Sequence, residues 1–497
     1  MKRPTREELE ILIRESPEAY IDLIMALYDK IEEQAALTEK QAAIIEEQTK
    51  TIQALEARLN QNSDNSSLPP SKDRYKVKRK KTDNTKKRKT NKKEKKHRSK
   101  MVQNPDQIEE LSVRHCPDCG CDLSDEPVKG KVRRQEIDLI IKRWTTEYRA
   151  EKKQCPMCSK QVTASFPKQI KGPMQYGPTV RALSAYLIHD NMLSYNRTQR
   201  FFEEVANIPI GQSTLVTFNQ AMKNCLTDED TNADNAIKTK VTDAPVVGYD
   251  ETGMRKNGQT IWLHTAATDK LTHLHMDDKR GKAGMDRAGI LPNYQGIAVH
   301  DFWKPYEHYP CDHAYCNAHL IRELKGIAET TGHRWADNMK TLLESASHEH
   351  QQRKKAQKGL RDDKKALYKR RYDTFVQMGY HESPSPPEKP PHQKGRQKKT
   401  KELNLLERFE QYKDEILTFL THENVPFDNN TAERSFRMAK VKDKVSGSFR
   451  GTGDECFAVI RSFVDSVRKN GIGVFDAIRF CFEGFSPLLI VNHLFSC

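Results

Sequence analysis

Over residues 245–327 the apolar residues stop recurring at helical spacing and begin to alternate, and two of the strand-like runs that result end in an acid. "PVVGYD" leads to Asp250. "QTIWLHTAAT" and "LTHLHMD" are expected as the second and third strands, and "AGMDRAGILPNY" as a helix. "GIAVHDFWKPY" gives a fourth strand leading to Asp301, and "HAYCNAH" a short fifth strand that enters the helix "LIRELKGIAE". Three strands in a meander, a helix, a strand and another helix is the order of an RNase H-like domain, in which the first and fourth strands lie side by side. Acids closing those two strands would be neighbours, and neighbouring carboxylates without a counter-charge repel. Oxygen ligands of this kind suit Mg²⁺ or Mn²⁺. On this reading Asp250 ends its strand because it holds a metal. Glu251 points to the other side of the strand and stays outside the ligand set. His273 and His275 share one face of the third strand and are expected to face solvent.

A third carboxylate should come from a later helix. In "VPFDNNTAERSFRMAKVK" a helix is expected from Asn429 or Asn430, with Glu433, Arg437 and Lys440 on one face. An acid followed by two bases along a face lets the acid hold metal while the bases meet phosphate. Asn430-x-x-Glu433 also fits a capping box, so spacing leaves both roles open.

Charge points to a polyanion. The chain of 497 residues carries a net +15, and residues 72–100 hold 17 Lys or Arg against three acids. Such a run cannot bury enough apolar surface to order itself and is expected to be disordered when free; its density suits phosphate contact, with Lys80 and Lys87 among the contacts. Eleven cysteines in an irregular pattern, no secretory signal and no long apolar run suggest a reducing, cytoplasmic setting and no membrane partner. Cys116-Pro-Asp-Cys119 and Cys155-Pro-Met-Cys158 are two turns of one form, separated by 35 residues, and four such thiolates suit a closed structural Zn²⁺ site. Cys121 and His115 are alternative ligands. "RRQEIDLIIKRWTTEYRAEKK" between them alternates as a strand pair would. Cys311, His313, Cys316 and His319 offer another metal-ligand spacing, although a strand passing into a helix explains most of it.

Residues 5–62 read as helix, with Pro17 opening a second segment. Ile31, Thr38, Ile45, Ile52 and Leu59 recur every seven residues, with Gln34, Gln41 and Gln48 at the alternate core position. This is an imperfect coiled-coil seam and suggests a homo-oligomer. Residues 176–222 outline helix, turn and helix, with Ser213 as an N-cap and DNA contact as one reading.

"NSSLPPSKD", the paired C-x-x-C turns, "YDETGMR", "HDFWKPY", "CNAHLIREL", "NNTAERSFRMAKVKDKVSGSFRG" and "VIRSFVDSVRKNG" occur in order from about residue 30 to about residue 485. As a set they resemble the insertion-sequence-66 family of bacterial DDE transposases. The resemblance implies a catalytic triad on Asp250, Asp301 and Glu433 and a divalent metal. It implies cleavage at element ends that frees a 3′-hydroxyl, followed by attack of that hydroxyl on target DNA. It also implies small accessory proteins as possible partners. Arg437, Lys440 and Lys304 are then expected to contact DNA. Asp301 and Glu433 are 132 residues apart, so residues 335–425 read as a mostly helical insertion with a basic, Pro-rich loop at 382–401.

The expected chain is multidomain α+β. It comprises a coiled-coil region (1–62), a disordered basic linker (63–110), a zinc-ribbon-like domain (111–168) and a helical DNA-binding region (169–240). An RNase H-like catalytic core follows (241–334), then the insertion (335–425), the catalytic helix region (426–450) and a C-terminal helical region (451–497). Two other readings are an inactive DNA-binding regulator and a stand-alone metal-dependent nuclease.

Overall fold

The computed structural model describes residues 5–59, 61, 65, 101–356, 358–383 and 399–493. The protein is mixed α+β. Two compact units divide it: one holds Asn232–Ile472 with the N-terminal helices and the chain from Leu488, the other holds the segment ending at Thr231 together with Gly473–Pro487. Lys80 and Lys87 lie outside the described residues, as do most of the basic linker and of the Pro-rich loop.

In the second unit a small antiparallel hairpin joins β1 (Lys152–Gln154) to β2 (Gln161–Thr163). The first unit carries a five-stranded sheet of β3 (Val246–Lys256), β4 (Gln259–Ala267), β5 (Thr272–Asp277), β6 (Ile297–His300) and β7 (Asp312–Tyr315). Its spatial order is β5-β4-β3-β6-β7. The meander β3–β4–β5 is antiparallel, and β3–β6 and β6–β7 are parallel. Asn257 and Gly258, both at positive φ, make the tight turn between β3 and β4, as the Asn-Gly pair favours.

One expectation about the strands changes. β3 does not end at Asp250 but runs on to Lys256, because its ladder with β4 continues through Asp250 opposite Thr265. Only the parallel ladder with β6 stops early, at Gly248 opposite Val299. Carried two residues further, that register sets Asp250 against Asp301.

The outer edge of β5 is closed by the helix Gly453–Lys469. Thr272 and Leu274 donate their backbone N–H groups to the hydroxyls of Ser466 (3.0 Å) and Ser462 (2.9 Å), one helical turn apart. Unpaired edge donors are thereby satisfied by side chains. The expected solvent position of His273 is corrected: it is 5% exposed. His275 is half-buried, 3.6 Å from Asp277. The alternation was right, but this face is packed, with Met285 and Leu291 lining a small cavity beside both histidines.

Beyond β7 the helices Asn317–Thr331, Arg334–Lys355, Asp362–Glu382 and Lys401–Gln411 pack around Trp335, Tyr372 and Phe409. The buried Tyr372 hydroxyl donates to the Phe409 carbonyl at 2.7 Å.

The second unit packs helices Pro178–His189, Tyr195–Ala206 and Gln212–Leu226, with Ile188, Phe202, Ile210 and Leu215 in the core. Asn207, in the left-handed conformation, ends the middle helix. The last helix starts earlier than expected: Gly211, in extended conformation, is its N-cap, and Ser213 sits inside the first turn. Between the two C-x-x-C turns no strand pair forms over residues 131–150. Ile140 (88% exposed) and Trp144 (83%) lie open. Alternation supplied an apolar face there, but a strand pair with no covered face is not stable by itself.

At the N-terminus Pro17 opens a single helix to Leu59, as expected for a first-turn proline. Ile31, Ile45 and Ile52 are exposed along it. No described helix is long and apolar enough to cross a membrane.

Candidate active site

Asp250 lies on β3 and Asp301 directly follows β6, so the two central parallel strands carry one acid each past the end of their shared ladder. Asp250 accepts the N–H of Glu251 at 2.8 Å, and Asp301 accepts the N–H of Trp303 at 3.0 Å. These local bonds orient both carboxylates. Burial raises the Asp250 carboxyl well above the usual carboxylate range, and the charges of Glu251, Asp301 and Glu433 push it the same way. Asp250 therefore lies in the field of both other expected acids, although the three carboxylates do not meet in one cluster among the described residues.

Glu251 behaves differently. Its carboxylate accepts from Arg280 (2.7 Å and 3.0 Å) and from the Tyr306 hydroxyl (2.6 Å). The Arg280 guanidinium stacks on Trp303 and Trp262, at 4.2 Å and 5.0 Å from the ring centroids. Burial still holds Glu251 above the usual range, against the lowering by Tyr306 and Arg280. This carboxylate is spent on structure, in keeping with its exclusion from the ligand set.

Glu433 enters on the short helix Asn430–Ser435. The capping-box alternative is not realised: the N-cap is Asn429, without a side-chain cap bond, and Asn430 donates its N–H to Asp428. No hydrogen bond or ion pair among the described residues engages the Glu433 carboxylate. The single helix face expected for Glu433, Arg437 and Lys440 is broken, because the helix interrupts at Phe436 and restarts as Arg437–Ser446. Arg437 is exposed. Lys440 instead donates its ammonium to the Gly253 carbonyl at 2.8 Å, and burial lowers its pKa. Lys304 is exposed at the start of the 3₁₀ turn Lys304–His308.

Asn429, which sequence reading used only as a helix start, is the hinge of this arrangement. Its side-chain amide donates to the Tyr249 carbonyl, next to Asp250, at 2.7 Å. Its backbone N–H donates to Cys316 Sγ at 3.2 Å, and its carbonyl accepts from the Glu433 N–H at 3.2 Å. One residue thus ties the strand of the first acid to the helix of the third. Gly248 permits the approach: a Cβ there would lie 2.4 Å from Asn429 Oδ1 and 3.4 Å from Ala432 Cβ. A glycine inside a strand run was the available signal.

Of the four residues at 311–319 with metal-ligand spacing, His313 is occupied elsewhere. Its Nδ1 lies 2.9 Å from His300 Nε2, and its Nε2 lies 3.1 Å from the Tyr309 carbonyl. Cys316 and His319 come together with Glu433 instead.

The two cysteine turns have the same backbone. Cys116 N–H donates to the Cys121 carbonyl and Gly120 N–H to the Cys116 carbonyl, both at 2.9 Å. Cys155 N–H donates to the Lys160 carbonyl (2.9 Å) and Ser159 N–H to the Cys155 carbonyl (2.8 Å). Gly120 and Ser159 share a positive φ. The N–H groups of Cys119 and Asp118 lower the Cys116 thiol below its usual range, and those of Cys158 and Met157 do the same for Cys155. Each turn thus readies its first cysteine, Cys116 or Cys155, to ionise. The four thiols do not meet in one cluster among the described residues.

No curated protein matches the chain. A family of unknown function, DUF6444, matches residues 2–102. The model of the Transposase IS66 family matches residues 173–454, more than half of the chain and the whole span from Asp250 to Glu433. The chain therefore belongs to the Transposase IS66 family.

Proposed function

We propose that the chain is a DDE transposase whose RNase H-like core cleaves DNA at the ends of its element and joins them to target DNA. Family membership supports the transposase role and implies a DNA-processing enzyme. The observation that carries the finer reading is the placement of Asp250 and Asp301 side by side past the end of the β3–β6 ladder, with the charge of Glu433 felt at Asp250. Asp250 and Glu433 have no basic partner among the described contacts, and an oxygen-only acidic set of this kind fits Mg²⁺ or Mn²⁺. When bound, such an ion stabilises negative charge on the attacking and leaving oxygens of a phosphodiester. The chain's part is placement. Glu251 N–H and Trp303 N–H aim two carboxylates, and Asn429 sets the third relative to β3. Exposed Arg437 and Lys304 contribute positive charge for phosphate, whereas Lys440 serves Gly253 first.

The two cysteine turns stand apart among the described residues, and a Zn²⁺ ion would draw them together into a site of Cys116, Cys119, Cys155 and Cys158 within the module that reads element ends. The exposed helix Pro17–Leu59 supports self-association along its heptad seam. Cys116→Ser should release one zinc per chain and weaken binding to element-end DNA, with the thermal transition of the catalytic unit preserved. Metal analysis and a gel-shift titration check this, and a mutant that keeps its zinc places the site elsewhere.

The test of the catalytic reading is strand cleavage and joining on labelled element-end DNA with Mg²⁺ or Mn²⁺, comparing the wild type with Glu433→Gln. Metal-dependent product from the wild type and at least a hundredfold less from the mutant, with DNA binding retained, is expected; about 10²-fold or more is usual for losing a group at the reacting centre. Equal activity would remove Glu433 from the triad.

A further inference from the structure

Outside the Asp250–Asp301 pair, one group of metal-ligating side chains assembles among the described residues. Cys316, His319 and Glu433 each place a ligand atom within 4.8 Å of the other two. Cys316 is the N-cap of the helix Asn317–Thr331 and His319 lies in its first turn, so a three-residue spacing puts both on one side. Glu433 comes from the facing helix Asn430–Ser435.

Two further observations point to a ligand. Cys316 is fully buried, yet its sulfur accepts the Asn429 N–H at 3.2 Å, the kind of outer hydrogen bond that steadies a metal-bound thiolate. His319 Nδ1 is sealed from water and has no hydrogen-bond partner among the described residues. A buried polar atom left so costs about 1–3 kcal/mol, and a cation bound through Nδ1 would meet that need.

The geometry points to a second cation site at Cys316, His319 and Glu433, selective for a thiophilic divalent ion of the zinc class and sharing Glu433 with the acidic site. One sulfur, one imidazole nitrogen and one carboxylate oxygen, with a fourth position open, is a zinc-type donor set and a poor one for magnesium. Zinc–ligand bonds are about 2.0–2.3 Å long, so filling the site draws the three side chains inward and turns the Glu433 carboxylate toward Cys316. Glu433 cannot then complete the set with Asp250 and Asp301. Zinc at this site therefore opposes magnesium-supported cleavage. The binding stands on these three residues alone; the inhibition rests on the catalytic reading of Glu433 given above.

The binding test uses the full chain with Cys116, Cys119, Cys155 and Cys158 changed to Ser, folded as judged by circular dichroism, and titrated with Co²⁺. One equivalent giving a thiolate-to-cobalt charge-transfer band, displaced by Zn²⁺ and not by excess Mg²⁺, is expected. The band should be lost on adding Cys316→Ser, which keeps an acceptor for the Asn429 N–H. It should need at least tenfold more Co²⁺ on adding His319→Gln. No band in the four-serine chain, or a band that survives Cys316→Ser, overturns the site.

The second arm compares cleavage with and without added Zn²⁺ in the wild-type chain after its first equivalent of zinc. A tenfold or greater fall, reduced in Cys316→Ser, supports the shared ligand. A cobalt band at Cys316 with cleavage indifferent to zinc overturns the sharing of Glu433. A cobalt band with no magnesium-dependent cleavage in the wild type refutes the catalytic reading and leaves the cation site standing.

Discussion

Gly248→Ala is expected to cost the protein about 1–3 kcal/mol, the usual range for forcing extra volume into a packed interior, and to lower strand cleavage by about a hundredfold. The added Cβ would stand 2.4 Å from Asn429 Oδ1, with Ala432 Cβ and the Ala267 carbonyl at 3.4–3.5 Å on other sides. Asn429 is 4% exposed and cannot swing into water. It can relieve the contact only by giving up its bond to the Tyr249 carbonyl or by carrying the helix Asn430–Ser435 away from β3. Either movement separates Glu433 from Asp250. A misplacement of about 1 Å is enough to cost 10²-fold in rate, so activity should fall further than stability. The double variant Gly248→Ala/Asn429→Ser tests that division. The shorter serine removes the clash and should restore most of the melting temperature while leaving cleavage low. Recovery of both together would mean that Asn429 only fills space and does not set the third acid.

How much of this was legible in the sequence depended on how local the cause was. The strands themselves followed from alternation, because period acts over a few residues, and their spatial order from the succession of meander, helix, strand and helix. The Asn257-Gly258 turn, which extends β3 past Asp250, is equally local, but an acid read as the strand end leaves the turn unread. The broken helix at Phe436 could not be read from spacing: the i, i+4, i+7 pattern assumes an unbroken helix, and the interruption belongs to tertiary packing. The partnership of Cys316 and His319 with Glu433 was also out of reach, since it joins segments more than a hundred residues apart through the clamp at Asn429. The burial of His273 was missed for a related reason. Alternation assigns a side chain to a face, and only the rest of the fold decides whether that face is covered.

Asp250→Asn is expected to make the metal-free protein more stable at neutral pH while abolishing divalent-metal binding and cleavage. Burial, with the charges of Glu251, Asp301 and Glu433 added, holds the folded-state carboxyl well above its unfolded value of about 3.9. Between those two values the folded state binds more protons than the unfolded state, so this group's contribution to stability falls as pH rises through the window and stays low above it. Asparagine carries no charge to desolvate or repel. Its gain should be about 0.5–2 kcal/mol, the range common when a destabilised functional position is relaxed, and it should shrink to nothing as the pH is lowered to the unfolded value. Asp277 sets the opposite limb. Burial pushes its carboxyl up, but hydrogen bonds from Arg287 and from the Lys279 N–H bring it well below the usual range. Its stabilisation is present above its unfolded value and is lost as pH falls through its folded value, so acid unfolding should persist in Asp250→Asn. Melting temperatures of the metal-free wild type and variant between about pH 2 and 8, repeated with Mn²⁺ at neutral pH, separate these effects. The wild type should gain stability on adding Mn²⁺ and release protons to the buffer, and the variant should do neither. A variant no more stable than the wild type at neutral pH would mean that Asp250 is already compensated by a partner of its own, and the reading of three uncompensated acids would fall with it.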